Sequence, residues 1–296
     1  MYAKVSLNCN MANRVQLGLV RVVTRRRDSA FGLSPFYHTA MASISPERYN
    51  ELSESVANIR NRVQLASSTS APCLIAVSKY KPATDILACY RLGQRDFGEN
   101  YVQELVDKAK ELPDDIRWHF IGTLQSNKAK VLASIPNIYA VQTITSTKAA
   151  TALNKSLPSE RTSPLNVMLQ VNTSGEDAKS GLAPLSSAKP SELVQLVRHI
   201  ITECPRLHLQ GLMTIGSLTE SLASSDRPNE DFEKLKHTRD LLHGILEGER
   251  GRWGVDGRLL LSMGMSSDFE AAIRAGSDVV RVGTGIFGVR RDSHTH

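Results

Sequence analysis

The chain has 296 residues, 41% of them hydrophobic, and a formal net charge of +6, so it can bury a core as one large domain or two small ones. Six of its 36 basic residues fall in positions 1–40 beside a single acid, Asp28, which leaves the rest of the chain close to neutral. A near-neutral body lacks the clustered basic face of a general nucleic-acid-binding surface. No run of 18 apolar residues is present that would span a membrane.

The first forty residues are rich in arginine, poor in acids and contain Ser and Thr, which is typical of a mitochondrial transit peptide. The alternatives are an unstructured tail, or an upstream extension with Met41 as the real start. We therefore predict a basic leader over 1–44, a short tail over 291–296, and a location in the cytoplasm, the mitochondrion or both. None of the four cysteines forms a C-x-x-C pair, which favours free thiols in a reducing compartment.

Strands and helices are predicted to alternate along the remainder of the chain. Ser45 followed by Pro46 marks the start of a first helix. Eight short apolar segments predict strands: 73–79, 95–100, 117–122, 137–144, 165–172, 207–215, 259–264 and 278–284. Helical spacing predicts seven helices between them: 82–92, 101–112, 125–133, 146–157, 191–203, 229–246 and 266–276. The segments 174–191 and 217–229 are predicted surface loops.

The strand segments are continuous apolar runs, which indicates a parallel sheet covered on both faces. Eight such units in one domain, over 45–290, predict a TIM (β/α)8 barrel. The runner-up is an open, doubly wound sheet.

The segment RVGTGIFG, 281–288, fits G-x-G-x-x-G through Gly283, Gly285 and Gly288. In a dinucleotide site this motif is followed by the rest of a βαβ unit and by an acid about 20 residues on. His296 ends the chain before either, so we expect a different role. The loops after strands seven and eight of a barrel often hold phosphate, and SMGMSSD, 262–268, is the other such loop. The alternative is that the glycines form only a turn.

Three other residues are candidates for the same end of the barrel. Lys79 follows the apolar run LIAV, and an amine in an apolar pocket is a nucleophile able to form a Schiff base with a carbonyl. The alternative is a lysine that reaches solvent. Asn100 follows strand two and either lines the pocket or caps a helix. Met213 ends strand six and is expected to pack near the ring of a bound ligand. His119, within a strand, is expected to be a hydrogen-bonded core residue.

Seven segments together resemble one protein family: AVSKYKP, RDFGENYVQE, WHFIGTLQSNK, VNTSGEDAKSG, GLMTIG, LSMGMSSDFEAAIRAG and SDVVRVGTGIFG. The family is that of the pyridoxal 5′-phosphate (PLP) homeostasis proteins, also called YggS/PROSC proteins, and the resemblance covers roughly 46–290. It implies a barrel like the N-terminal domain of alanine racemase and covalently bound PLP.

The resemblance also implies roles for individual residues. Lys79 matches the Schiff-base lysine, and Arg281 matches the arginine that faces the pyridine nitrogen. Ser266, Gly283 and Thr284 match phosphate-binding positions, with Ser262 as the alternative serine.

A guanidinium cannot accept a hydrogen bond, so Arg281 should keep the pyridine nitrogen neutral and weaken the electron sink. The resemblance implies the same arrangement in alanine racemase, so Arg281 alone does not exclude catalysis. Racemases of this fold also take a second base from a C-terminal β domain of the partner chain, whereas this sequence ends soon after strand eight. We therefore expect a monomeric, non-catalytic PLP carrier in vitamin B6 homeostasis that passes PLP to PLP-dependent apo-enzymes.

The alternative function is a slow racemase or lyase, which an acidic or tyrosyl base near Lys79 would favour. Tyr80 is expected to point to the opposite face of its strand. No metal site, nucleic-acid partner or membrane partner is predicted.

Overall fold

The computed structural model describes residues 44–68, 72–187, 189–222, 227–247 and 253–289. The predicted leader, except Ile44, and the predicted tail lie outside the described residues. No helix in the described ranges is both long enough and apolar enough to cross a membrane.

Eight parallel strands pair in sequence order and close into a barrel. This confirms the predicted TIM barrel and is incompatible with the open-sheet alternative. The strands are β1 Cys73–Val77, β2 Asp96–Glu99, β3 Arg117–Phe120, β4 Ile138–Ile144, β5 Leu165–Gln170, β6 Leu207–Met213, β7 Leu260–Ser262 and β8 Val279–Val282.

Helices surround the barrel and mostly match the predicted segments. They are α1 Pro46–Ala66, α2 Ala83–Arg91, α3 Val102–Glu111, α4 Ala129–Ala133, α5 Thr147–Ser156, α6 Glu192–Glu203, α7 Leu218–Leu222, α8 Glu230–Leu246, α9 Phe269–Arg274 and α10 Thr284–Phe287. The prediction of 217–229 as a loop was wrong at α7, where the Ser217 hydroxyl accepts the Glu220 amide and caps one helical turn. A 3-10 turn, Ser126–Lys128, replaces the start of the helix predicted at 125.

Two groups of apolar side chains form the core. The larger lies between the strands and the helices and includes Val280 and Val282 of β8. The smaller lies inside the barrel and contains Ile75, Met168, Met213 and Val279. Because side chains alternate along a strand, Arg281 faces the interior with Val279. The barrel interior is therefore partly apolar and partly polar.

Helix α1 packs against α2, α9 and α10, the helices that flank the seam between the first and last strands. Its buried face carries Leu52, Val56, Ile59 and Val63. Arg48 of α1 pairs with Asp85 of α2 at 2.6 Å and donates to the Phe287 carbonyl of α10 at 3.0 Å. Arg62 pairs with Glu270 of α9 at 2.9 Å. The helix thus joins both ends of the barrel sequence.

Candidate functional site

Two backbone amides of the glycine loop converge on one hydroxyl oxygen. Gly283 N–H and Gly285 N–H donate to Ser266 Oγ at 3.2 and 3.3 Å. Ser266 is half-buried, and Thr284 and Gly285 are exposed at the barrel rim. Converging amides with a hydroxyl donor form a site suited to an anionic oxygen. The loops after β7 and β8 thus contact each other, and their predicted role in holding phosphate stays a prediction.

The loop that carries Ser266 is fixed by its neighbours. Asp268 Oδ1 accepts the Met265 amide at 2.6 Å. Gly264 has φ +95°, and a Cβ there would lie 2.5 Å from Ala272 Cβ, so only glycine fits without displacement. Sequence reasoning missed Asp268, whose carboxylate accepts from the preceding loop and from Ser221 and does not cap helix α9.

The alternative phosphate serine, Ser262, lies elsewhere. It is fully buried on β7, where its hydroxyl contacts Gln142 and Arg281 inside the barrel. The structure thus places Ser266 beside the glycine loop and Ser262 inside the barrel. Both assignments to phosphate stay predictions.

Lys79 lies in a turn two residues beyond the end of β1, and not on the strand itself. Its side chain is half-buried, and no hydrogen bond or ion pair joins its ammonium to another residue in the described part of the chain. Ala76 pairs with Val282, so Lys79 and the glycine loop follow neighbouring strands. The half-buried amine therefore follows the strand that neighbours the one before the converging amides.

The expectation that Tyr80 points away on the opposite strand face was wrong. Tyr80 belongs to the same turn as Lys79 and has φ +61°, so strand alternation does not apply to it. Its ring lies 5.0 Å from the ring of Tyr101, and the two hydroxyls are hydrogen-bonded. Two hydrogen-bonded phenols therefore stand at the barrel rim, and one of them belongs to the residue that follows Lys79.

A buried charged cluster anchors the backbone on both sides of Lys79. Lys108 Nζ donates to the Ser78 carbonyl at 2.8 Å, to Glu99 Oε1 at 2.7 Å and to Glu104 Oε1 at 2.6 Å. Glu104 Oε1 also accepts the Tyr80 amide at 2.6 Å. Burial raises the pKa of Glu99 although Lys108 and Ser78 favour its ionised form. Sequence reasoning missed this cluster, whose only signal was the Glu104–Lys108 spacing of four residues on a helix.

Arg281 is a buried cation held by neutral acceptors. It is 4% exposed, and its guanidinium donates to Ser262 Oγ and to the Thr214 carbonyl, each at 2.6 Å. Burial lowers its pKa to about 10, against the opposing effect of Asp268, so it stays protonated at neutral pH. No carboxylate among the described residues lies within ion-pair distance of it. Its two side-chain bonds use two of the five N–H donors of a guanidinium.

Asn100 and Met213 lie at the carboxyl ends of β2 and β6. Asn100 Oδ1 is buried with no hydrogen-bond partner in the described part of the chain. A Cβ on Gly122 would lie 1.9 Å from the Asn100 carbonyl oxygen, so glycine is needed there for the backbones to approach. Met213 is fully buried and packs with Ile75 inside the barrel.

A family model described as the N-terminal domain of alanine racemase matches residues 52–291. The chain is 43% identical to the pyridoxal phosphate homeostasis protein of Schizosaccharomyces pombe over 232 residues, which are 78% of this chain and 90% of that relative. The chain belongs to the pyridoxal phosphate homeostasis protein family. The resemblance stated from the sequence is thereby confirmed.

Solved structures share the fold of this chain. PipY of Synechococcus elongatus, solved with PLP bound, is 29% identical with a TM-score of 0.61, and the match covers 80% of this chain and all of PipY. Alanine racemase from E. faecalis is 15% identical with a TM-score of 0.59, over 83% of this chain and 60% of the racemase, and shows the shared fold alone.

The residues at the rim fit the PLP that the family implies. The phosphate would contact the converging amides beside Ser266. The Asn100 side-chain oxygen, which has no hydrogen-bond partner among the described residues, offers a contact for a polar ring. So does Arg281, which is buried and pairs with no carboxylate among the described residues. Lys79 supplies an amine that no other described side chain engages. The roles of these individual residues stay predictions.

Proposed function

We propose that the chain binds PLP at the carboxyl rim of its barrel, with Lys79 as the point of covalent attachment, and acts in intracellular PLP homeostasis. The observation that carries this proposal is the half-buried Lys79 ammonium, which has no partner among the described residues. It lies in the turn after β1, and the converging amides follow the neighbouring strand β8. The family name and the PLP-bound PipY relative support the cofactor.

Each group at the site has a defined task in this proposal. Ser266 and the amides of Gly283 and Gly285 hold the phosphate, with the Thr284 hydroxyl at the exposed edge. PLP supplies an aldehyde that condenses with an amine and a ring that withdraws electrons. The Lys108 cluster fixes the turn from which the Lys79 amine meets that aldehyde.

Arg281 is proposed to determine whether the pyridine nitrogen of PLP is protonated. We infer that it donates a hydrogen bond to the pyridine nitrogen, which therefore keeps its lone pair and stays unprotonated. An unprotonated pyridine is a weak electron sink, which suits storage and delivery of PLP better than bond cleavage at a substrate carbon. We therefore propose a non-catalytic carrier that passes PLP to apo-enzymes. That this carrier is a monomer in the cytoplasm or mitochondrion stays a prediction from the sequence.

Borohydride reduction followed by peptide mass spectrometry tests the attachment. We expect a pyridoxyl-phosphate mass on the peptide with Lys79, absent in Lys79→Ala and present in Lys128→Ala, which removes an exposed lysine at the same rim. An adduct that survives in Lys79→Ala, or no adduct with excess PLP, contradicts the proposal.

Transfer is tested separately with loaded protein and a PLP-dependent apo-enzyme, in the presence of a scavenger of free PLP. Recovery of enzyme activity that exceeds recovery with the same amount of free PLP supports delivery. Equal recovery from both sources contradicts it.

One observation favours the second candidate, a slow racemase or lyase. The phenol of Tyr80, the residue after Lys79, is hydrogen-bonded to the phenol of Tyr101, and we infer that this pair could exchange a proton with a bound amino acid. Incubation of loaded protein with L- and D-amino acids in D2O tests this. Deuterium at the α carbon that is lost in Tyr80→Phe supports catalysis, and its absence for all amino acids tested excludes it.

A further inference from the structure

A single path of hydrogen bonds crosses the barrel interior from β8 to β2. Arg281 Nη1 contacts Ser262 Oγ at 2.6 Å, and Ser262 Oγ contacts Gln142 Oε1 at 2.7 Å. Gln142 Nε2 lies 3.3 Å from His119 Nδ1, and His119 Nε2 lies 2.9 Å from Asp96 Oδ1. All five residues are buried, and even the least buried of them, Asp96, is only 7% exposed.

The chemistry of these groups allows one order of donors when His119 is neutral. An ionised carboxylate only accepts, so His119 carries its proton on Nε2 and accepts at Nδ1. Gln142 must then present its NH2 to His119 and its oxygen to Ser262. The Ser262 hydrogen therefore points to Gln142, which leaves its lone pairs to accept from Arg281.

A second proton on His119 would reverse this order. Gln142 would have to turn its oxygen toward Nδ1–H and its NH2 toward Ser262. Ser262 Oγ would then face two donors, Gln142 and Arg281, and its own hydrogen would have no acceptor on the path. The orientation of the Ser262 hydroxyl thus depends on groups two and three bonds further along.

We propose that Gln142 and His119 are positioning residues that hold the Arg281 guanidinium in the orientation in which it meets the pyridine nitrogen of PLP. This rests on the proposed function. Arg281 has no carboxylate partner within the described ranges that would fix its plane through two parallel bonds, so its orientation is set by the Ser262 hydroxyl and the Thr214 carbonyl. A hydroxyl rotates freely unless its hydrogen is engaged, and Gln142 engages it.

The far end of the path also brings Cys73, Asp96 and His119 within 4.8 Å of one another, which is a spacing that could suit a metal ion. Two features disfavour that use. Arg117 donates to Asp96 and supplies the positive charge that a cation would otherwise bring. Burial raises the pKa of the Cys73 thiol to about 12, which keeps it protonated. Asp96 therefore serves as the terminal acceptor of the path.

Binding of two ligands, PLP and an analogue without the ring nitrogen, distinguishes a positioning role of Gln142 from a general structural role. Gln142→Met keeps the length of the side chain and removes both hydrogen bonds, and Gln210→Met is the control because Gln210 is a buried glutamine of β6 outside the path. Each variant is titrated with PLP and with its 1-deaza analogue, in which C–H replaces the ring nitrogen. We expect Gln142→Met to weaken PLP binding roughly three- to tenfold and to leave analogue binding at the wild-type level. Gln210→Met should weaken both ligands equally or neither.

An equal loss for PLP and the analogue in Gln142→Met, or no loss for either, overturns the positioning role. If wild-type protein binds no PLP and forms no adduct at Lys79, the proposed function itself fails, which is a different outcome.

A measurement on the wild-type protein covers the case in which Gln142→Met does not fold. Two-bond 1H–15N correlation spectra distinguish the tautomers of histidine rings, and His119→Gln identifies the His119 signals by their loss. We expect the tautomer protonated on Nε2. Signals from the tautomer protonated on Nδ1 contradict the donor order and overturn the proposal.

Discussion

Asp96 at the start of β2 is expected to make unfolding sensitive to acid. Arg117 Nε donates to its Oδ1 at 2.8 Å, a second Arg117 nitrogen donates to its Oδ2, and His119 Nε2 lies 2.9 Å from Oδ1. Burial raises the pKa of Asp96, but the bonds from Arg117 and His119 outweigh it and lower the pKa from 3.8 to about 2. The ionised form is therefore favoured by folding.

The pKa difference sets the size of the effect. One pKa unit corresponds to about 1.4 kcal/mol, so Asp96 contributes about 2 kcal/mol to the free energy of unfolding when the pH is well above 3.8. Because the folded pKa is the lower one, this contribution is lost as the pH falls from about 4 through about 2. About half of it is gone near pH 3.

Urea unfolding of wild-type protein and Asp96→Asn at pH 6 and pH 3 measures this contribution. The destabilisation caused by Asp96→Asn should be smaller at pH 3 by about 1 kcal/mol. Asp115→Asn removes an acid from the exposed Arg95–Asp115 pair and is the control, with an expected cost below about 1 kcal/mol. A destabilisation by Asp96→Asn that is the same at both pH values refutes the reasoning, since the pKa shift would then be absent.

Two further substitutions test the elements that shape the site. Lys108→Met should lower the free energy of unfolding by about 3–5 kcal/mol because it leaves Glu99 charged and buried, and adding Glu99→Gln should recover part of this loss in urea titrations. No recovery in the double variant would contradict the view that the unpaired carboxylate causes the loss. Gly122→Ala should cost about 1–3 kcal/mol and weaken PLP binding, because its Cβ would lie 1.9 Å from the Asn100 carbonyl oxygen and force that backbone to move. Gly244→Ala is the control, since its Cβ meets nothing within 4 Å in helix α8, and a loss of PLP affinity there equal to that of Gly122→Ala would refute the local explanation.

The barrel could be predicted from the sequence because each parallel strand is buried on both faces. A segment such as CLIAV is then a short apolar run bounded by polar residues, and eight such runs separated by helical patterns fit few folds. The rim was predictable for the same reason, since residues that follow parallel strands gather at one end. The positions of Lys79 and Ser266 follow from that rule.

The polar interior could not be predicted in this way. The path from Arg281 to Asp96 joins residues of β8, β7, β4, β3 and β2, and it depends on strand stagger and on the register shifts between β3 and β4 and between β4 and β5. The sequence contains no local pattern for such contacts. The direction of the Tyr80 side chain was predicted from strand alternation. That prediction failed because Tyr80 itself has a positive φ and lies in a turn beyond the strand.

The seam under α1 has a consequence for the order of folding. The contact between Arg48 and the Phe287 carbonyl joins positions 239 residues apart, and β1 pairs with β8 only when both ends of the barrel sequence are present. Contacts of such long sequence separation form late because the intervening chain must first be ordered. Since Lys79 lies on one side of this seam and the converging amides of the glycine loop on the other, a chain that has not closed the barrel does not bring the two halves of the proposed cofactor site together. We therefore expect the ability to retain PLP to arise in the same step that closes the barrel, so that PLP retention reports complete folding.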